Sequence, residues 1–227
     1  MMIRALASRR LSAANIGPRL PVGRRAIALT LGVVVASTAS AQDNLVVNGS
    51  FENPAINRNF VFYPQGSTGI TGWTVTAPTS SRGVDIVNST GYNNPNWAFA
   101  GLQSVDLAGS PGRGGIQQSL PTVTGQSYTL SFALSTNGFP STPVTASVSI
   151  LWGGTLVDTL TSPAFGTWQT YTYNVVGGVG TSTLLSFVGN TDGSFGTLLD
   201  NVVVIPSPSA ATLLGLGGLL AARRRRR

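Results

Sequence analysis

The side chains able to do chemistry are few, and their kinds narrow what this chain can do. There is no histidine and no cysteine. The commonest general base, the usual zinc ligand, thiol nucleophiles and disulfides are therefore all excluded. A Ser-His-Asp triad is impossible, and Gly49-Ser50 is not part of a G-x-S-x-G elbow. Gly112-Arg113-Gly114-Gly115 is glycine-rich but has no Walker lysine and no following helix, so it is not a phosphate cradle. What remains is a small set of acids and aromatics. Asp85 and Asp106 lie in short apolar strand blocks. Two carboxylates can run glycoside hydrolysis when about 5 to 9 Å apart across a cleft, but turn and hydrogen-bonding roles are the preferred expectation for this pair. Trp73, Trp97, Trp152 and Trp168 offer faces on which a sugar ring can stack. Trp73 and Trp168 sit beside strand signals and read as core or half-buried. Trp97 and Tyr92 share the loop Gly91-Tyr92-Asn93-Asn94-Pro95-Asn96-Trp97 and are the expected ligand-binding pair, because loops carry function on rigid scaffolds.

The elements that must position these residues are strands. Tyr128, Leu130, Phe132 and Leu134 alternate with polar or small residues, as do Val144, Ala146, Val148 and Ile150, and Tyr171, Tyr173 and Val175. This period of two is the mark of a half-buried strand. Gly153-Gly154, Asn137-Gly138, Gly177-Gly178 and Asp192-Gly193 punctuate the runs as turns. No sustained helical period occurs between Asn44 and Ile205. About eight to ten strands with long loops predict an all-β antiparallel sandwich, a jelly roll. A domain of this length can bury one core without staples.

The two ends read differently. Residues 1–41 carry six arginines and no acid, then the short apolar run Ala26 to Ala36 and the A-x-A site Ala39-Ser40-Ala41. They form a signal peptide, with cleavage expected after Ala41. The general secretory route is favoured, although Arg9-Arg10 hints at twin-arginine export. At the other end, Ala210 to Ala222 is apolar and Arg223, Arg224, Arg225, Arg226 and Arg227 follow. Thirteen residues rise roughly 20 Å as a helix, short of a hydrocarbon core of about 30 Å. The arginines resist crossing, so the segment should stall in the inner membrane with the domain outside.

The formal charge of +7 comes from these ends. Between them, Arg58, Arg82 and Arg113 face seven acids, about four net negative charges. No basic stripe remains there for a nucleic acid.

The stretch Pro206, Ser207, Pro208, Ser209, followed by the short apolar run and the arginines, resembles the PEP-CTERM sorting tails of Gram-negative and planctomycete-type bacteria. Those usually read Pro-Glu-Pro; here the glutamate is missing. The resemblance implies recognition by an exosortase, cleavage near Pro206 to Ser209, and delivery to the cell surface or extracellular matrix. Domain limits of 1–41, 42–205 and 206–227 follow.

Between the ends, several blocks occur in a telling order. They include Asn44-Leu45-Val46-Val47-Asn48-Gly49-Ser50-Phe51-Glu52, Gly72-Trp73-Thr74-Val75, Val84-Asp85-Ile86-Val87, Gln103-Ser104-Val105-Asp106-Leu107-Ala108-Gly109 and Leu199-Asp200-Asn201-Val202. In this order they resemble the choice-of-anchor C and DUF642 group of secreted domains. That resemblance implies a galactose-binding-like sandwich, without catalysis, that binds extracellular polysaccharide in a biofilm or cell envelope. A structural or protein-adhesion unit is the alternative, and a glycan-acting hydrolase a third. In similar sandwich modules an acid from each terminal strand holds a structural calcium ion. Glu52 and Asp200 are the corresponding acids, each expected at the edge of a strand.

Overall fold

The computed structural model describes residues 43–110, 112–138 and 145–207. The signal segment with Ala39 and Ala41, and the tail with Pro208, Ser209 and the terminal arginines, lie outside the described residues.

Among the described residues thirteen strands run in chain order: β1 (Phe60–Pro64), β2 (Thr74–Thr76), β3 (Gly83–Asn88), β4 (Gln103–Asp106), β5 (Ala108–Gly109), β6 (Gly112–Arg113), β7 (Gly115–Pro121), β8 (Ser127–Thr136), β9 (Ser147–Trp152), β10 (Thr155–Thr161), β11 (Gln169–Val176), β12 (Ser182–Gly189) and β13 (Thr197–Pro206). Six form one sheet in the order β1-β3-β4-β13-β8-β11, and five form a second in the order β10-β9-β12-β7-β2. All pairings within both sheets are antiparallel. β5 and β6 make a small separate hairpin. The expected all-β sandwich is the architecture found. Among the described residues no helix is long and apolar enough to cross a membrane.

The alternation in the sequence becomes the inner faces. Leu130, Phe132 and Leu134 of β8 point into the core, as do Val148 and Ile150 of β9 and Leu185 and Phe187 of β12. Phe132 meets Phe187 edge-on across the sandwich, with centroids 5.0 Å apart. Such contacts add to the gain of about 25 cal/mol per Å² from burying apolar surface. Gly153 and Gly154 have φ of +60° and +80°, and close β9 onto β10 by a two-residue turn. Both positions need the left-handed region, which is why a Gly-Gly pair closes this hairpin.

The first block departs from expectation. Residues 44–52 form turns against β13, not a strand. Leu45 N–H donates to Val204 O and Val202 N–H donates to Gly49 O, so the segment still covers the edge of β13. Asn48 and Phe51 sit at φ of 55° and 58°, a conformation that breaks an extended run. Asn48 fills the gap with its own side chain, bonding Asn53 N, Asn53 O and Thr71 O.

The outer face of the six-stranded sheet is what positions the site. Phe62, Asp85, Asp106, Leu198 and Ser135 lie opposite one another on successive strands β1, β3, β4, β13 and β8. This row points away from the core and would meet solvent if loops did not cover it.

Candidate ligand pocket on the loop-covered face of the six-stranded sheet

Asp85 and Asp106 are register partners on adjacent antiparallel strands, so their side chains leave the sheet side by side. Their surroundings differ. Asp106 is fully buried. Its Oδ1 accepts from Ala108 N (2.8 Å) and Gly196 N (3.1 Å), and its Oδ2 accepts from Asn137 Nδ2. Burial pushes its carboxyl up to about 8, although these three donors pull the other way. Asp85 is 4% exposed, and its Oδ2 accepts from Ser110 N at 3.1 Å. Its Oδ1 is buried with no hydrogen-bond partner. Burial raises this carboxyl to about 6, while Ser110 favours the charged form. Leaving a buried oxygen unbonded costs about 1–3 kcal/mol, and more for a charged group.

A cavity of about 230 Å³ opens over Asp85. Asp85 and Val87 form its floor. Asn59 and Phe60 stand on one side, Tyr92 and Ser110 on others. Ser194 and Phe195 of the β12–β13 connection, with Asn137 at the end of β8, complete the wall. Phe60 and Phe195 are 42% and 37% exposed, so two apolar rings are held open at its rim. Burial pushes the Tyr92 phenol up to about 12, with the charges of Asp85 and Asp106 adding to the effect.

Glycoside hydrolysis needs two carboxyl groups flanking one bond. Here Asp85 is the one carboxyl group lining the cavity among the described residues, and both oxygens of Asp106 are engaged beneath the surface. The pair is therefore arranged as one fully bonded fastener beneath the surface and one buried acid that borders the cavity.

Trp97 does not present a face to a ligand. It is 3% exposed, stacks on Tyr92 with centroids 4.3 Å apart, and meets Phe165 at 4.9 Å. The reason lies beneath it. Val87 and Leu198 are apolar residues on the outer face of the sheet, and the loop carrying the short 3-10 turn Pro95–Trp97 folds back to cover them. Ser104 of β4 fastens that loop by donating its hydroxyl to Trp97 O. Trp168 is half-buried beside this cluster and donates Nε1–H to Asn96 O (3.0 Å). Trp73 and Trp152 are buried in the main core. Of the two aromatic residues expected at a binding site, Tyr92 reaches the cavity and Trp97 supports it from behind.

Glu52 and Asp200 grip the loop between Phe99 and Gln103 from two sides. Glu52 Oε1 accepts from Leu102 N and Gln103 N, both at 2.8 Å. Asp200 Oδ2 accepts from Phe99 N (2.8 Å) and Ala100 N (2.9 Å), and Oδ1 from Asn201 N (2.6 Å). Gly101 has φ of +69°, and a Cβ there would strike the Glu52 carboxylate. Asp200 is fully buried, and its carboxyl is raised to about 7, chiefly by burial and in small part by the charge of Glu52. Each carboxylate keeps an oxygen with spare acceptor capacity. Two like charges drawn together in this way suit a divalent cation. Calcium takes six to eight oxygens, so backbone carbonyls would have to supply the remainder. Among the described residues no third acidic side chain joins them.

Three features here carried no spacing signal in the sequence. Gln103 is a buried hub, donating to Phe51 O and Pro54 O and accepting from Ile56 N. Asn137 reads as a turn residue yet holds Asp106. Phe60 and Phe195 fall in blocks with no pattern of their own. At the tail, Pro206 ends β13, and Ser207 N–H donates to Ser127 O, so both residues are still part of the sheet.

The fold is an antiparallel β-sandwich of the kind seen in the carbohydrate-binding module TmCBM61. The solved module TmCBM61, in complex with β-1,4-galactotriose, superposes with a TM-score of 0.52 at 13% identity, over 73% of this chain and all of that one. The CBM22-1 xylan-binding domain of Paenibacillus barcinonensis Xyn10C aligns at 16% identity and a TM-score of 0.44, covering 76% of this chain and 100% of its own. Residues 44–205 match the family described as "Protein of unknown function (DUF642)", and the chain belongs to that family. Halomucin of Haloquadratum walsbyi is 33% identical over 187 residues, which is 80% of this chain but only 2% of the length of halomucin.

Proposed function

We propose that this protein is an exported, non-catalytic domain that binds extracellular polysaccharide at the Asp85 pocket, and that its C-terminal tail is sorted by an exosortase to the cell surface or matrix. The observation that carries the binding reading is the cavity of about 230 Å³ lined by Asp85, by the polar residues Asn59, Ser110 and Ser194, and by the rings of Phe60, Tyr92 and Phe195. Sugars present hydroxyl groups for such polar side chains and apolar C–H faces for such rings. The sandwich shared with TmCBM61, a module solved with a bound galactotriose, supports the same reading. Glu52 and Asp200 would hold one structural calcium ion, which offsets their mutual repulsion and fastens the loop between Phe99 and Gln103. No step of ligand binding runs through that ion.

Retention of the purified protein on a panel of insoluble and soluble polysaccharides, with calcium and with chelator, tests this reading. Saturable retention by one glycan class is the expected result. A folded protein that no glycan retains would instead be a structural or protein-adhesion unit.

A further inference from the structure

We infer that Phe99 and Trp168 form a second sugar-contacting surface, on which ring faces of the polysaccharide stack. The inference rests on the glycan-binding reading above and adds a place of contact outside the Asp85 pocket.

Phe99 has no place in the core. It is 43% exposed and belongs to neither apolar cluster. Its backbone is nevertheless held fast. Phe99 N–H and Ala100 N–H donate to the buried Asp200 Oδ2 (2.8 and 2.9 Å), and Glu52 Oε1 takes Leu102 N–H and Gln103 N–H just beyond. Trp168 is half-buried, and the bond from its Nε1–H to Asn96 O at 3.0 Å fixes the indole. The two rings lie 6.0 Å apart at 55°, an angled pair and not a sealed stack. Groups held in place before a ligand arrives lose little freedom on binding it.

The chemistry around the rings says what fits them. Residues 89–102 and 163–176, which carry the pair, contain no charged side chain. A partner recognised through charge finds no counter-charge on these segments. Asn96 is exposed and sets its amide over Gly166, where an added Cβ would come within 2.9 Å of Nδ2. Gln169 and Thr170, both exposed, follow Trp168. Apolar ring faces therefore adjoin amide and hydroxyl groups. A sugar is built the same way, with apolar C–H faces and a hydroxylated edge. Two aromatic side chains bury about 150–250 Å² each, well below the roughly 800 Å² per partner of a stable protein interface. That area suits a sugar and not a docked domain.

The test uses the full protein and a soluble form of a polysaccharide that retains it. Trp73, Trp97 and Trp152 are 1%, 3% and 8% exposed, which leaves Trp168 as the half-buried one of the four tryptophans. A ligand stacked on this surface should shift the tryptophan emission of the protein, and Trp168→Phe should lose that shift. Phe99→Leu keeps apolar bulk against Trp168 but no flat face. It should weaken binding about three- to tenfold at an unaltered melting temperature. Phe99→Tyr keeps the face and should bind as the unaltered protein does. If the polymer is retained, Phe99→Leu binds as before and the emission does not move, this inference is wrong while glycan binding at the Asp85 pocket stands. An emission shift that survives Trp168→Phe also overturns it. If no glycan is retained by the folded protein, both readings fall together.

Discussion

Asp85 and Asp106 face the same way from neighbouring strands, yet Asp106 has a donor for each oxygen and Asp85 has one oxygen with none. The difference arises above the sheet. The β12–β13 connection lies down on Asp106 through Gly196 N and then lifts Ser194 and Phe195 around Asp85. One acid fastens the wall of the pocket and the other forms its floor.

Removing the fastener should be costly. Asp106→Ala strands the Asn137 amide and two backbone N–H groups, and should destabilise the domain by about 3 kcal/mol. Asp192→Ala breaks the exposed pairs with Arg82 and Arg113 and should cost less than about 1 kcal/mol. Urea denaturation of both variants checks the contrast. Equal effects would show that Asp106 is not the anchor the geometry makes it.

Stability should fall as pH rises from about 4 to about 8. Asp85, Asp106 and Asp200 all have carboxyls raised by burial above the ordinary value near 3.9. The folded state then holds protons that the unfolded state has already released. Their contribution is fully present below about 4 and is lost through about 6 for Asp85, 7 for Asp200 and 8 for Asp106. The neighbouring ionisable groups, Tyr92 over the first pair and Glu52 beside Asp200, do not reverse the sign. A melting temperature several degrees higher at pH 5 than at pH 8, in chelator, is expected; a rise with pH would contradict it.

Calcium should act at Asp200. A cation between Glu52 and Asp200 favours both charged forms, so it should raise the melting temperature by several degrees at pH 8 and flatten the pH dependence just described. Glu52→Gln should lose the response to chelator. Identical melting curves with and without calcium would remove the ion from this site.

Trp97→Ala should unfold the roof and not merely weaken binding. The indole is enclosed by Val87, Leu198, Tyr92 and Phe165, and its loss should cost about 3–5 kcal/mol. Chemical denaturation measures that cost directly. Full stability with loss of glycan binding would return Trp97 to the role of a contact residue.

Processing of the tail should fall at or beyond Ser207. Pro206 is the last residue of β13, Ser207 N–H bonds Ser127 O, and its hydroxyl pairs with Thr129 Oγ1 at 3.1 Å. A protease needs an unpaired backbone, so a cut before Ser207 would require stripping the end of a central strand. Intact mass of the exported protein gives the position.

Much of the fold was legible because its signals are local. Alternation along β8, β9 and β11 shows which side of each strand is inward, and Gly153-Gly154 marks a hairpin, since both demands are set by neighbouring residues. The first block misleads on that same ground. Asn44 to Glu52 has the composition of a strand, but hydrogen bonds of Asn48 to residues beyond it turn the chain.

The candidate site was legible only in its ingredients. Its carboxylates and Tyr92 stand out by type in a chain without histidine or cysteine. Residue type does not say which acid borders the cavity, nor that Trp97 is sealed beneath its own loop, nor that Phe60 and Phe195 meet at one rim. Sequence alone determined the inventory of possible chemistry and the sandwich, because composition and period are properties of the chain itself. Strand register and loop packing decided that Asp85, and not Asp106, faces a cavity, because those contacts join residues far apart along the chain and exist only once both sheets have closed.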